Sequence, residues 1–267
     1  MAYVSSEISL PQDFQTNFLI LLRWIHFVAG ITWIGLLYFF NLVNIPFMKE
    51  LDAGTRGKVM PGLMLRALWW FRVSAVVTVL AGLAYWGSIV ASDARNAGAA
   101  PTTALVSFLA TWTLTWALMY GLLLIPDTGS STAHVGAEAP VRPIAAWRRI
   151  FDKGWVLAIL YIVIVAHSAH LFLHWNSQGW ESNRLLSIGI GGGIGWMMML
   201  SVWGIIWRIQ KRLIAWTKAN AKNGTPIPPQ AARMARMALL ASRTNFFLSF
   251  PMLFFMGAAS HYPMFGG

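Results

Sequence analysis

The sequence predicts an all-α, polytopic membrane protein: a bundle of about six transmembrane helices in a single integral membrane domain, residues 1–267. Three observations carry this. Hydrophobic residues make up 57% of the chain and charged residues only 11%, where average soluble domains carry about 25% charged residues. The apolar residues fall in separate runs of about 20, the length that crosses ~30 Å of hydrocarbon as helix. The positive charges gather between alternate runs, as they do around membrane spans.

The first span is expected at 17–45 and is ended by Pro46, whose missing N–H and ring oppose helix continuation. The stretch before it, MAYVSSEISLPQDFQTN, has no basic n-region and no apolar core. It does not read as a signal peptide, so the first span is expected to be retained. The second span, 67–91, is closed by the polar SDARNAG, and the third, 102–125, stops at Pro126-Asp127. The fourth, fifth and sixth are expected at 153–175, 185–207 and 237–260. Residues 127–147, rich in Ser, Gly, Ala and Pro, and 218–230 (KANAKNGTPIPPQ) read as solvated connectors. Trp69, Trp70, Trp86, Trp175, Trp180 and Trp207 stand near span ends, where indoles anchor at the membrane–water interface.

The formal charge is +11. Lys49, Arg56, Lys58 and Arg66 lie between the first and second spans, and Arg142, Arg148, Arg149 and Lys153 between the third and fourth. Between the fifth and sixth lie Arg208, Lys211, Arg212, Lys218, Lys222, Arg233 and Arg236, whereas the opposite side holds Arg95 and Arg184. The positive-inside rule then places these three loops in the cytoplasm and both termini on the outer, periplasmic side of a bacterial inner membrane. The charge is accounted for by topology and by anionic headgroups of the bilayer, not by nucleic acid. The chain has no cysteine, which excludes disulfides, an iron–sulfur cluster and covalent attachment of a c-type haem.

Within the first apolar run, Arg23 and His26 stand one helical turn apart, and polar groups at membrane depth are expensive and usually functional. His26 would lie roughly 12 Å from the outer face. His167 falls at a similar depth on the fourth span, with His170 and His174 nearer the surface and His261 at the outer end of the sixth. Only His134, in a connector, stands apart. Neutral imidazoles in a helical bundle suit a b-type haem, whose iron takes axial histidines from facing helices. The best axial pair is His26 with His167, with His170 as the replacement for His167. Arg23 shares the His26 face, and no Asp or Glu falls inside an expected span, so a haem propionate would be its partner. The competing readings are a histidine bonded to a neighbouring helix, an Arg23 that snorkels to the headgroups, interfacial roles for His174 and His261, and a copper site on the same histidines.

Gly189, Gly191, Gly192, Gly193 and Gly195 crowd the fifth span without completing a dinucleotide fingerprint. Small residues four apart read as a helix-packing face. Met197, Met198 and Met199 occupy three sides of a helix and make no copper relay. Arg72 and Arg243, in the inner parts of their spans, are placed to bind an anion or quinone headgroup, or to snorkel. No nucleophile triad, paired carboxylates or phosphate loop is present.

The first helix, RWIHFVAGITWIG (23–35), resembles the opening of the membrane-bound urate hydroxylase family, the urate oxidase N-terminal membrane domain. WWFRVSAVVTVLAGLAYW (69–86) is similar to that family's second helix, and NFFLSFPMLFFMGAASHYP (245–263) resembles its closing pattern. A more distant likeness links this Arg-Trp-Ile-His helix (23–26) to haem-binding protoporphyrinogen oxidases and copper-resistance membrane domains. The resemblance implies a haem-binding membrane oxidoreductase that passes electrons to a cytochrome c, with His26 and His261 matching family histidines and urate as the implied substrate. Three departures stand out: PFMKELDAGTRGKVMPG replaces a His-Gly-Gly-Gly-Phe-Tyr stretch, Gly189 or a neighbour stands for one histidine, and Thr244 for another. The family's cytochrome c domain is not in this chain.

The leading expectation is therefore a haem b membrane redox protein that serves a separate cytochrome c or a membrane complex. His26 and His167 would be axial ligands, Arg23 the propionate partner, and His261 a second-site ligand or exit residue. Catalytic residues are not assigned. The alternative is a non-catalytic structural subunit of a larger membrane complex.

Overall fold

The computed structural model describes residues 10–124 and 154–265. His134, Arg142, Arg148, Arg149 and Lys153, with the expected connector at 127–147, lie outside the described residues. Those described form helices without a strand, and six helices are long and apolar enough to cross a membrane.

Helix α1 (Phe14–Tyr38) starts where the Asp13 carboxylate accepts the Thr16 N–H at 2.7 Å, which satisfies one of the donors a helix start leaves open. That N–H bond holds the Asp13 carboxyl below the usual carboxylate range. The expectation that Pro46 ends this helix is corrected. The chain runs on through a π-helical segment, Phe39–Asn44, into α2 (Ile45–Glu50). Pro46 cannot donate to the ladder and would press on the carbonyl one turn back. The wider i→i+5 pattern, seen in the Ile45 N–H to Phe40 carbonyl bond, relieves that crowding just before the proline.

Helix α3 (Ala53–Asn96) is 44 residues long, about 66 Å. It begins 14 positions before the expected span because Asp52 caps it, accepting Gly54 N–H at 2.9 Å and Thr55 N–H at 3.0 Å. The bonds to Thr55 hold the Asp52 carboxyl below its ordinary range. Two spanning helices follow, α4 (Thr102–Leu124) and α5 (Gly154–Trp175). Helix α6 (Asn183–Ser201) continues through a second π-helical segment, Val202–Ile206, into α7 (Trp207–Asn223). The expected connector that begins at 218 is thus helical to Asn223, where Gly224 at φ +67° stops it. Helix α8 (Gln230–Ala258) begins seven residues earlier than expected and passes through Pro251. The early part of α3 packs against α7, where a Cβ on Gly57 would sit 3.3 Å from Ala221 Cβ. This antiparallel pair extends the bundle beyond the apolar spans on the basic side.

Helix α6 is the core of the bundle, the most buried of the six spans. Its glycines do the packing expected of them by receiving rings. A Cβ on Gly189 would lie 2.3 Å from the Phe172 ring of α5, and one on Gly193 2.0 Å from the Trp112 ring of α4. On another side Gly191 lies against the α8 backbone at Met252. At the end that carries both termini, Ser182 donates to Asp93 at 2.5 Å and so ties α6 to the end of α3. Asn183 clamps the C-terminal segment: its amide donates to the Ala259 and Tyr262 carbonyls, and its oxygen accepts Met264 and Phe265 N–H.

Candidate functional site

At the end shared by the termini, α1, α3, α6 and α8 enclose a cavity of about 370 Å³. Its walls are mostly apolar, from Phe27, Ile31, Leu83, Trp86, Leu253 and Met256 among others. Its polar lining is small: Arg23 and His26 from α1, Thr78 and Tyr85 from α3, Arg184 from α6, and Ser260 just beyond α8.

His26 is seated by α3. Its Nδ1 lies 2.8 Å from the Thr78 carbonyl oxygen. A carbonyl only accepts, so Nδ1 carries the proton and Nε2 keeps a lone pair. The ring rests on Gly82, where a Cβ would lie 2.8 Å from both Nδ1 and Cε1. Thr78, Gly82 and Tyr85 recur at i, i+4 and i+7 and so share the face of α3 that meets α1. The histidine is therefore oriented from behind, as a ligating or hydrogen-bonding imidazole must be.

Arg23 and Arg184 share one aromatic ring. Their guanidinium carbons lie 5.7 Å and 5.3 Å from the Tyr85 centroid, within cation–π reach. No carboxylate among the described residues pairs with either. The nearby acids are engaged elsewhere: Glu181 accepts Gln178 and Gly179 N–H, and Asp93 accepts from Ser182. Trp33, 1% exposed and also lining the cavity, has an indole N–H without an acceptor. An apolar chamber with two unpaired guanidiniums, an orphan donor and an imidazole lone pair suits an amphipathic anion.

The other expected ligands are elsewhere. His167 lines a separate, more open groove between α4 and α5 with Thr102, Thr103, Thr111 and Ser168. The structure does not bring it to His26, so that axial pairing is not formed. His170 and His174 are exposed on α5, and His261 is exposed beyond α8, next in the chain to the cavity residue Ser260. No group of three His, Asp or Glu side chains among the described residues could hold a metal ion.

Were a b-type haem bound here, His26 would be the residue to hold its iron and Arg23 and Arg184 would be placed to meet its propionates. The cavity offers no second histidine. Arg184, Tyr85, Gly82 and Thr78 are absent from the sequence-derived set. The signal for the last three was their i, i+4, i+7 spacing, and for Arg184 its place as a cation at the start of a span.

Comparison with known proteins gives no match: no family model, no curated protein and no solved structure corresponds to the chain. The urate hydroxylase resemblance rests on its three motifs alone. What the fold and the cavity define is a class: an all-helical chain with six helices able to span a membrane and a mostly apolar chamber lined by two guanidiniums and an imidazole at one end.

Proposed function

We propose that this chain is a haem b-binding membrane redox protein that exchanges electrons with a separate cytochrome c or a membrane complex. The observation that carries the proposal is the His26 seat: an imidazole with Nδ1 bonded to Thr78, pressed on Gly82, beside two guanidiniums that no carboxylate neutralises. When bound, haem supplies reversible one-electron chemistry. The protein's own part is to present His26 Nε2, to meet the propionates with Arg23 and Arg184, and to keep water out with Phe27, Ile31 and Leu83. The guanidiniums also argue against copper, because two uncompensated positive charges in a low-dielectric chamber repel a cation.

The membrane is a bacterial inner membrane and the cavity faces its outer side, as the positive-inside rule supports. Lys49, Arg56, Lys58, Arg66, Arg208, Lys211, Arg212, Lys218 and Lys222 all lie toward the opposite end. Urate stays the substrate suggested by resemblance.

The test is an absorption spectrum of the detergent-purified chain, oxidised and then dithionite-reduced, after expression with haem supplied. A Soret band with reduced α and β bands is expected, and His26→Ala should lose it. An intact protein with a featureless spectrum would sink the proposal. A second reading, a structural subunit, is favoured by one observation. The open α4–α5 groove carries Thr102, Thr103, Thr111 and His167 toward the bilayer, where lipid tails offer no hydrogen bonds and a partner helix does. Purification in mild detergent as a complex larger than the chain, without haem, would support that reading.

A further inference from the structure

At the end of the bundle opposite the cavity, a third cation is held without a counter-charge. Arg72 of α3 places its guanidinium carbon 3.9 Å from the Trp207 ring centroid and 5.5 Å from that of Trp203. The Trp203 indole donates to the Arg72 carbonyl at 3.2 Å, which fixes that ring against α3. Trp203 belongs to the second π-helical segment and Trp207 is the residue that follows it. The widened turn thus presents two indoles on the side of α3, and such segments recur at functional sites.

Stacking uses the faces of a guanidinium and leaves its in-plane N–H donors untouched. In Arg72 the Nε–H is buried and has no acceptor, and no carboxylate among the described residues pairs with the group. A snorkelling arginine extends its stem to reach the headgroups. This one is held by two rings, with its donor fork unused. A planar fork of donors matches an anion with two or more oxygens, above all phosphate. The surroundings set the depth: Trp69, Trp70 and Trp203 are 45%, 57% and 40% exposed, as an interfacial aromatic belt requires. Arg66 and Arg208, one to two turns away along their helices, are exposed on the same side.

We infer that Arg72, Trp203 and Trp207 form a phosphate-binding site occupied by the headgroup of a phospholipid from the leaflet on the basic side. The site is independent of the haem cavity. It joins α3 to the α6–α7 junction through a lipid, where the protein itself supplies no acid.

The experiment is native mass spectrometry of the delipidated full chain, titrated with phosphatidylglycerol, with diacylglycerol of the same acyl chains, and with inorganic phosphate. One phosphatidylglycerol is expected to bind in preference to diacylglycerol. Arg72→Gln should weaken it about tenfold, the size of a lost charge-assisted bidentate contact, and Arg72→Lys should restore part of the loss. Arg95→Gln, an exposed cation near the far end of α3, should change nothing. If Arg72→Gln does not fold, Trp207→Leu keeps the charge, removes its seat, and should weaken binding about fivefold. Undiminished phosphatidylglycerol binding by the substituted chain, or equal binding of diacylglycerol, overturns the site. Displacement of the lipid by millimolar inorganic phosphate overturns the lipid assignment in favour of a soluble anion.

Discussion

The cavity is controlled by a few residues whose roles separate cleanly. Gly82 is the seat of the His26 ring, so Gly82→Ala places a methyl where Nδ1 and Cε1 now lie. The expected outcome is a folded chain with little or no Soret absorbance, while far-ultraviolet circular dichroism is unchanged. Normal haem content in this variant would show that the imidazole can move without loss. Arg23→Gln and Arg184→Gln each remove one of the guanidiniums proposed to meet the propionates, and each should weaken haem retention about tenfold, the scale of a charge-assisted hydrogen bond. Haem titration of apoprotein checks this, and equal affinity in the double variant would remove the anion assignment. Arg23 and His26 are legible in the sequence because they interrupt an apolar run. His167 illustrates the limit. Counting residues gives depth, but not which way a side chain faces. In a bilayer the lipid-facing and buried sides of a helix are both apolar, so hydrophobicity does not mark the inner stripe of α5 at Tyr161, Val165, Ser168 and Phe172.

At the level of helices, α6 is fastened by rings fitted to glycines. Gly193→Ala puts a Cβ 2.0 Å from the buried Trp112 ring, an overpacking that costs about 1–3 kcal/mol. A lowered melting temperature in detergent is expected, with Gly121→Ala, whose Cβ position is open, as the neutral control. A second prediction concerns the start of α3. The Asp52 carboxyl has its pKa lowered by the bonds from Thr55, so its contribution is present above the unfolded carboxylate pKa of about 3.9. It is lost as pH falls through the lowered folded value. Protection factors for amide exchange at Gly54 and Thr55 should fall below about pH 4, and Asp52→Ala should show low protection there at neutral pH. The sequence reading stopped the second span at its apolar limit because the preceding residues, with Arg56, Lys58 and Arg66, look like a loop. Their hydrophobic partners, Met60, Met64 and Leu68, recur every four residues and are packed against the core. That periodicity is present but short, and the Asp52 cap was its clearest sign. The π-helical segments had no sequence signal beyond Pro46.

For the whole molecule, the six spans were legible because crossing hydrocarbon needs length and apolarity, which composition displays directly. The two ends of the described chain share one end of the bundle, so reporters fused to either terminus should give the same compartment, the outer one under the proposed orientation. Opposite readings from the two fusions would contradict the fold itself. Less legible was the extension of α3 and α7 beyond their apolar stretches at the basic end. The helix Asn183–Asn223 runs for 41 residues, about 61 Å against ~30 Å of hydrocarbon. The Asn183 clamp has a consequence for biosynthesis. The chamber is walled by α1 and α3 from the front of the chain and by α6 and α8 from its rear, and Asn183 ties residues 259–265 to α6 beside it. A ribosome-bound intermediate that still lacks the last helix has His26 and Arg23 in the bilayer but no finished chamber around them. Any ligand must therefore be loaded after the translocon has released the final span, and a chain halted before residue 237 should emerge from the membrane empty.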